Sequence, residues 1–356
     1  MMKKTLVLKV DSQRPELDKI RLAASLIRRG GLVAFPTETV YGLGADAFNQ
    51  KAVLQLFRAK KRPLDNPPIV HVAESKSVYQ LAKEVPPSAQ RLMEQFWPGP
   101  LTLILKRSDL VPDVTVAGLD TIAVRMPRHE VALALIRESG CPVAAPSANL
   151  AGKPSPTSAE HVLADLNGRI DTVLDSGPTV VGIESTVLDM TVGPPEVLRP
   201  GGTSYELLKS FLGNVKLSPI AVADKPLPLE KVRSPGLKHK HYAPDADVVV
   251  VEGKIPAIVA KVNELARFYK LRGSKVGVLC TDETMQEYKA DVVKSLGSRD
   301  DLANVARNLF RLLREFDIAK VDIVIAEGVP AEGLGLAVMN RLRKAAGYKI
   351  AHAEAS

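Results

Sequence analysis

FPTETVYGLGADAF, Phe35 to Phe48, is the stretch on which the reading of the first half of this chain turns. The residues before it, Leu32 to Phe35, form an apolar run. That run follows the turn signal Gly30-Gly31 and stops at Pro36, so a strand is predicted there. Thr37, Glu38, Thr39 and Tyr41 come directly behind the strand, followed by Gly42 and Gly44, which permit tight backbone. Polar side chains gathered at the end of a strand commonly line a site in an α/β protein. The plainer reading of the same residues is a strand-to-helix connection with hydroxyl caps.

Working outward, Asn49 to Lys60 has helical spacing, with Val53, Leu54, Leu56 and Phe57 on one side and Asn49 placed to cap it. Ile69 to Val72, Leu101 to Leu105, Thr121 to Val124 and Thr186 to Leu188 read as strands, punctuated by Pro100, Pro127 and Pro146. This mixture predicts a sheet covered by helices over residues 1–213. From Ser218 to Pro244 the pattern changes: Pro219, Pro226, Pro228, Pro235 and Pro244 fall in a stretch with little apolar periodicity. Residues 214–245 therefore read as a proline-rich connection between domains, longer than a passive one needs to be. Beyond it strands and helices alternate. Val248 to Val251, Val276 to Leu279 and Val321 to Ala326 read as strands; Ile255 to Tyr269, Leu302 to Phe316 and Leu334 to Ala346 read as helices. That order predicts a small doubly wound parallel sheet over 246–356.

Composition sets the outer limits. The 356 residues suffice for two domains, and 46% hydrophobic with 25% charged residues is globular usage. Aromatics are only 4%, so the cores must be aliphatic. The apolar patch Leu6 to Leu8 is too short for a signal segment, and no run approaches the roughly 18 apolar residues of a membrane helix. Cys141 and Cys280 can form neither a zinc cluster nor a disulfide framework, so a reducing cytoplasm is the expected location. A net charge of +8 attracts nucleotides, pyrophosphate or RNA, or simply solubilises the surface.

Two nucleotide signatures fail. Gly177 and Gly182 have Walker-A spacing, but Ile183-Glu184 replaces the required Lys-Ser/Thr. Gly333 and Gly335 open a helix, but Val338 stands where a third small residue belongs, so a close-packed turn is the reading there. His239 and His241 sit between Lys238 and Lys240, which disfavour a bound cation, and no protein-held metal is expected.

Four further clusters carry polar chemistry. Arg58, Lys60, Lys61 and Arg62 crowd the end of a helix before a loop fixed by Pro63, Pro67, Pro68 and Asn66. The helix dipole favours cations there, and the same arrangement suits a triphosphate. His71 lies inside an apolar strand and reads first as a core histidine. Ser147-Ala148-Asn149 follows a strand ending at Pro146 and presents a hydroxyl and an amide, as an Asx or Ser turn would too. Arg125 closes the strand that Thr121 opens and needs an anionic partner, which a substrate carboxylate would supply. GIESTVLD and VLRPGG place Ser185 and Arg199 near strand ends.

Taken in order, PTETVYGLGADA, KKRPLDNP, WPGPLTLIL, TIAVRMP, APSANLAGKPSPT, GIESTVLD and VLRPGG resemble the YrdC-like family, which makes threonylcarbamoyl-AMP for the t6A modification of tRNA. SPGLKHKHYAP and EGLGLAVMNRLRKAA resemble its longer, two-domain version. The resemblance implies an α/β architecture: a twisted mixed sheet with an open concave face, then a small Rossmann-like parallel domain. It implies condensation of L-threonine, bicarbonate or CO2, and ATP, with Mg2+ on the phosphates. Lys60, Arg62 and Asn66 would contact the phosphates, with Lys60 and Arg62 promoting reaction. Ser147 and Asn149 would hold the nucleotide, with Thr121 and Arg199 nearby. Thr39, His71, Arg125 and Ser185 would form the threonine pocket, and Tyr242 would gate the site as part of a lid over 214–245. The implied downstream partner is a tRNA threonylcarbamoyltransferase of the Kae/TsaD type, with weak tRNA binding by this chain as a corollary. Carbamoyl transfer in hydrogenase maturation needs zinc cysteines that this chain lacks. An RNA-binding protein without adenylation activity is the alternative, disfavoured by the low aromatic count.

Overall fold

The structure is a computed structural model that describes residues 4–226 and 242–353. Its contacts divide these residues into two compact units. The first holds residues 4–151 and Ser155–Ala221; the second holds Gly152–Pro154, 222–226 and 242–353. Of the connection expected over 214–245, residues 227–241 lie outside the described residues, and with them the His239/His241 pair.

The first unit is built on one mixed sheet of eleven strands. In chain order they are β1 (Leu6–Lys9), β2 (Val33–Phe35), β3 (Gly42–Asp46), β4 (Val70–His71), β5 (Leu101–Lys106) and β6 (Thr121–Arg125). Then follow β7 (Val143–Ala144), β8 (Thr172–Asp175), β9 (Thr186–Asp189), β10 (Glu196–Arg199) and β11 (Lys216–Leu217). The spatial order is β1-β8-β2-β3-β7-β4-β6-β5-β9-β10-β11. Parallel β4–β6 pairing sets His71 opposite Arg125, and antiparallel β4–β7 pairing sets His71 opposite Val143. The helix Gln50–Lys60 forms as its spacing predicts. Asn49 caps it by accepting from the main-chain N–H groups of Lys51 and Ala52, which satisfies donors that a helix start leaves orphaned. Its buried face, Val53, Leu56 and Phe57, packs into aliphatic clusters on the sheet.

The second unit carries β12 (Asp247–Gly253), β13 (Val276–Cys280), β14 (Val292–Ser295), β15 (Ile323–Glu327) and β16 (Ile350–Ala353). They run in the order β14-β13-β15-β12-β16 with every pairing parallel. Strands β13 and β15 are buried along their whole length, as a parallel sheet covered by helices requires. The covering helices are Ile255–Leu271, Leu302–Ala319 and Leu334–Ala345. Strands β14 and β16 add to the three that the sequence pattern predicts. Among the described residues no helix is long and apolar enough to cross a membrane.

Candidate active site

Two groups of predicted residues meet in the first unit, and main-chain bonds tie them together. Lys60, the last residue of its helix, is almost fully buried, which an ammonium tolerates only with hydrogen-bond acceptors. Its Nζ donates to the main-chain carbonyls of Ser147 and Asn149, while the Ala151 N–H donates to the Lys60 carbonyl. Lys61 then turns the chain in a left-handed conformation, φ 51°. Arg62 folds back onto the loop that follows, Nε donating to the Asn66 carbonyl at 2.8 Å and Nη2 to that of Pro67 at 3.2 Å. Asn66 is buried in that loop. Lys60 and Arg62 therefore act first on the main chain, each fixing the shape of a polar turn. The Asn149 amide donates to the Leu150 carbonyl, and Ser147 is half-buried.

The second group forms around Arg125. Its Nε donates to the Gly99 carbonyl at 3.1 Å and its Nη1 to Thr39 Oγ1 at 2.9 Å. Its Nη2 stands 2.7 Å from Glu38 Oε2, so the partner a lone buried arginine demanded of a substrate is already supplied by the protein. Thr39 is held in turn by Thr37, whose hydroxyl lies 2.8 Å from its own. His71 lies beside Arg125 on the neighbouring strand, edge-on to Phe35, with Nδ1 3.2 Å from the Ile69 carbonyl. Burial, and then the adjacent guanidinium, push its ring down to about 3, so it is neutral at physiological pH. Ser185 is fully buried, its hydroxyl 2.8 Å from that of Thr102 and accepting from Arg199 Nη2 at 3.2 Å. Arg199 also donates twice to the Ser185 carbonyl. Gly201 is required here, since a Cβ would come within 2.4 Å of the Glu184 carbonyl oxygen and the Thr186 nitrogen.

The segment Thr37–Gly42 joins the two groups. The Ala148 N–H donates to the Tyr41 carbonyl at 2.8 Å, and Leu43 donates to Pro146 at 2.8 Å. On the other flank Val181 and Gly182 donate to the carbonyls of Glu38 and Thr39. The Tyr41 ring is buried, its hydroxyl donating to the Gly177 carbonyl at 2.7 Å. Lys60, Arg62, Asn66, Ser147, Asn149, Thr39, His71, Arg125, Ser185 and Arg199 thus belong to one bonded neighbourhood on one sheet.

Thr121 and Tyr242 complete the predicted set. Thr121 opens β6 opposite Lys106, four residues from Arg125, or about 13 Å along the strand. Tyr242 lies in the second unit, buried, with its ring 5.2 Å from Phe310 and the Arg341 guanidinium 5.8 Å from its centroid. Of the lid expected over 214–245, residues 227–241 lie outside the described residues. Glu38 stands in the sequence as one of four polar residues behind the strand, with no role of its own assigned there. A carboxylate between two threonines, directly behind a buried strand, was the available signal. Among the described residues no group of three or more His, Cys, Asp or Glu could hold a metal.

Comparison with known proteins shows the family of the chain. The sequence profile of the Sua5/YciO/YrdC family, described as telomere recombination, matches residues 25–201. One described as threonylcarbamoyl-AMP synthase, C-terminal domain, matches residues 204–347. A threonylcarbamoyl-AMP synthase of Pyrococcus abyssi is 52% identical over 95% of this chain and 97% of its own length. One of Bacillus subtilis is 51% identical over 93% and 94%. The crystal structure of P. abyssi Sua5 complexed with L-threonine superposes with a TM-score of 0.93 at 50% identity, covering 98% of this chain and all of that one. The chain belongs to the two-domain Sua5 family of threonylcarbamoyl-AMP synthases.

Proposed function

We propose that the neighbourhood around Arg125 and Lys60 condenses L-threonine, bicarbonate or CO2, and ATP into threonylcarbamoyl-AMP and pyrophosphate, the first step of t6A modification of tRNA. The observation that carries this reading is the junction itself: a buried Arg125–Thr39–Glu38 group tied through Tyr41 and Ala148 to the turns held by Lys60 and Arg62. The L-threonine bound to the P. abyssi relative supports it.

The chemistry has two stages. The threonine ammonium first loses a proton to solvent, and the free amine adds to CO2 with loss of a second proton to give an N-carboxylate. A carboxylate oxygen then bonds to the α-phosphorus of ATP as the bond to the departing pyrophosphate breaks. Such transfer depends on positioning and charge neutralisation more than on a nucleophilic side chain. Thr39, His71, Arg125 and Ser185 are assigned to threonine. Neutral His71 can offer one donor and one acceptor without adding charge. Lys60, Arg62, Asn66, Ser147, Asn149, Thr121, Arg199 and Tyr242 are assigned to the nucleotide. Mg2+ would arrive on the ATP phosphates and screen their charge, since the described residues offer no carboxylate or histidine set for it. The lid role of 214–245, a cytoplasmic location and delivery to a Kae/TsaD-type transferase complete the proposal.

The test is pyrophosphate release, expected only when threonine and bicarbonate are supplied together. Arg62→Ala should abolish it in a folded protein. Lys60→Ala should abolish it too, with a loss of about 1–3 kcal/mol of stability for the carbonyls left without a donor. Normal turnover in both variants would defeat the assignment. Salt-sensitive tRNA binding without threonine-dependent ATP consumption would favour the RNA-binding alternative.

A further inference from the structure

Glu38 has no role in the assignments above, yet it is buried, and among the described residues neither of its carboxylate oxygens has an aligned hydrogen bond. Oε2 has only the charge contact with Arg125 Nη2 at 2.7 Å, and that nitrogen also lacks an aligned acceptor. Buried polar atoms are almost always bonded, so three such atoms side by side call for a reason. Strand geometry does not relieve them, because Arg125 is already pinned from two sides by Gly99 and Thr39. Two of its five N–H groups are spent there, which leaves N–H groups on both terminal nitrogens.

The charges around this pair narrow what can partner it. The other titratable ring whose charge senses Glu38 is His129, and burial holds it below its usual value, leaving it mainly uncharged near pH 7. His71 is neutral. Arg125 and Glu38 thus form one cation and one anion in contact at 2.7 Å, each with polar atoms that make no aligned hydrogen bond. A simple anion would satisfy Arg125 but leave Glu38 stranded and repelled; a simple cation would do the reverse. A zwitterion satisfies both, adding no net charge to a buried site.

Building on the threonine reading, we propose that Glu38 is a specificity-determining residue: its carboxylate receives the α-ammonium of the amino acid while Arg125 receives the α-carboxylate. The pair is a receptor for the amino-acid backbone, leaving Thr39, His71 and Ser185 to read the side chain. It explains why an acid is buried in a loop next to an arginine whose remaining N–H groups are here assigned to the substrate carboxylate. The protein keeps the two charges matched when empty and rearranges a single charge contact when filled.

The test compares L-threonine with 3-hydroxybutanoate, which is threonine without its amino group, by calorimetric titration of the full chain in the absence of ATP. In Glu38→Gln, threonine affinity should fall about 10- to 100-fold, the range for losing a charge-assisted bond, while 3-hydroxybutanoate binds at least as well as to the wild type. Glu38→Asp keeps the charge and should retain a preference for threonine over 3-hydroxybutanoate, which covers the case that the Gln variant does not fold. Two results would overturn the proposal. One is threonine affinity within twofold of wild type in Glu38→Gln. The other is a parallel weakening of both ligands, which would mean that Glu38 merely orients Arg125. Pyrophosphate release by the wild type tests the functional reading separately, because binding is read here without turnover.

Discussion

In each unit an arginine pairs with a fully or almost fully buried glutamate, and the pairs Arg125–Glu38 and Arg299–Glu327 are finished very differently. In the second unit Glu327, fully buried at the end of β15, receives Arg299 together with the hydroxyls of Thr281, Thr284 and Tyr288. Arg299 adds a bond to the Gly328 carbonyl at 2.9 Å. Both Glu327 oxygens are bonded, so that pair is closed. In the first unit Glu38 and Arg125 touch at 2.7 Å, but no hydroxyl reaches the carboxylate and the bond is misaligned. A folding protein gains little from leaving such a pair open, because desolvating two charges is repaid only when their remaining valences are filled. The closed pair is structure. The open pair is the one proposed above to receive the amino acid.

The largest effects should come from removing one member of the open pair. Arg125→Met strands Glu38 as a buried, unmatched charge, which should cost about 3–5 kcal/mol of first-unit stability. It should also cut threonine-dependent pyrophosphate release by about 30- to 1,000-fold, the loss expected for one partner of a buried charge contact. The comparison sharpens in the double variant Glu38→Leu/Arg125→Met. There stability should largely return while threonine binding stays lost, because an apolar pair replaces an unsatisfied ionic one. Amide exchange along β4 and β6, read beside a threonine titration, separates the two outcomes.

The same pair of experiments should fail in the second unit. Glu327→Leu removes the acceptor for three hydroxyls and one guanidinium, at about 3–5 kcal/mol. Adding Arg299→Met should not restore the loss, since Thr281, Thr284 and Tyr288 remain without an acceptor. Exchange in β13 and β15 should rise in both variants, with the affinity for threonine unchanged. Recovery of stability in the second double variant would erase the distinction between the pairs.

A smaller effect, tied to pH, belongs to His71. The unfolded chain takes up a proton on this ring near 6.5, whereas the native ring refuses it until about 3, because burial and then Arg125 oppose the charge. Below pH 6.5 the unfolded state therefore binds more protons, and His71 makes stability fall as the pH drops through that window. His71→Gln should flatten this slope in acid denaturant titrations and leave stability at pH 8 nearly unchanged. An unaltered slope would remove His71 as its source.

Much of this arrangement was legible in residues, and the limits have physical causes. The Asn49 cap and the helix to Lys60 follow from local side-chain chemistry and are found as read. So are the three strands and three helices expected of the second unit, each within three residues of its bounds, because parallel strands buried on both faces announce themselves as apolar runs. Strand β14 escaped because its four residues, Val292–Ser295, are only half-buried at the sheet edge and include Lys294. Strand order could not be read, since β4 and β7 are two residues long and owe their place to long-range pairing. At the candidate site, Lys60 and Arg62 were read as phosphate-binding cations, and their bonds to carbonyls 87 and 4 residues away could not be read. Glu38 needed the fold, because nothing local shows that its oxygens end up dry and unbonded.

The smallest prediction tests whether a closed pair can be opened by degrees. Burial and then the nearby Glu327 charge push the Tyr288 hydroxyl up, so it stays protonated and donates to Glu327 Oε2 at 2.9 Å. Tyr288→Phe removes that donor without changing the ring, and Thr284 and Arg299 remain bonded to the same carboxylate. The cost should be about 1 kcal/mol, a single neutral donor to a charged acceptor that keeps its other partners. Thr281→Val, added second, should cost more than it does alone, since each lost hydroxyl concentrates the remaining negative charge on fewer donors. Strictly additive losses in that cycle would mean that the hydroxyls serve Glu327 independently. In that case satisfaction of the carboxylate would be a sum of separate bonds, and the contrast with Glu38 would be one of bond count alone.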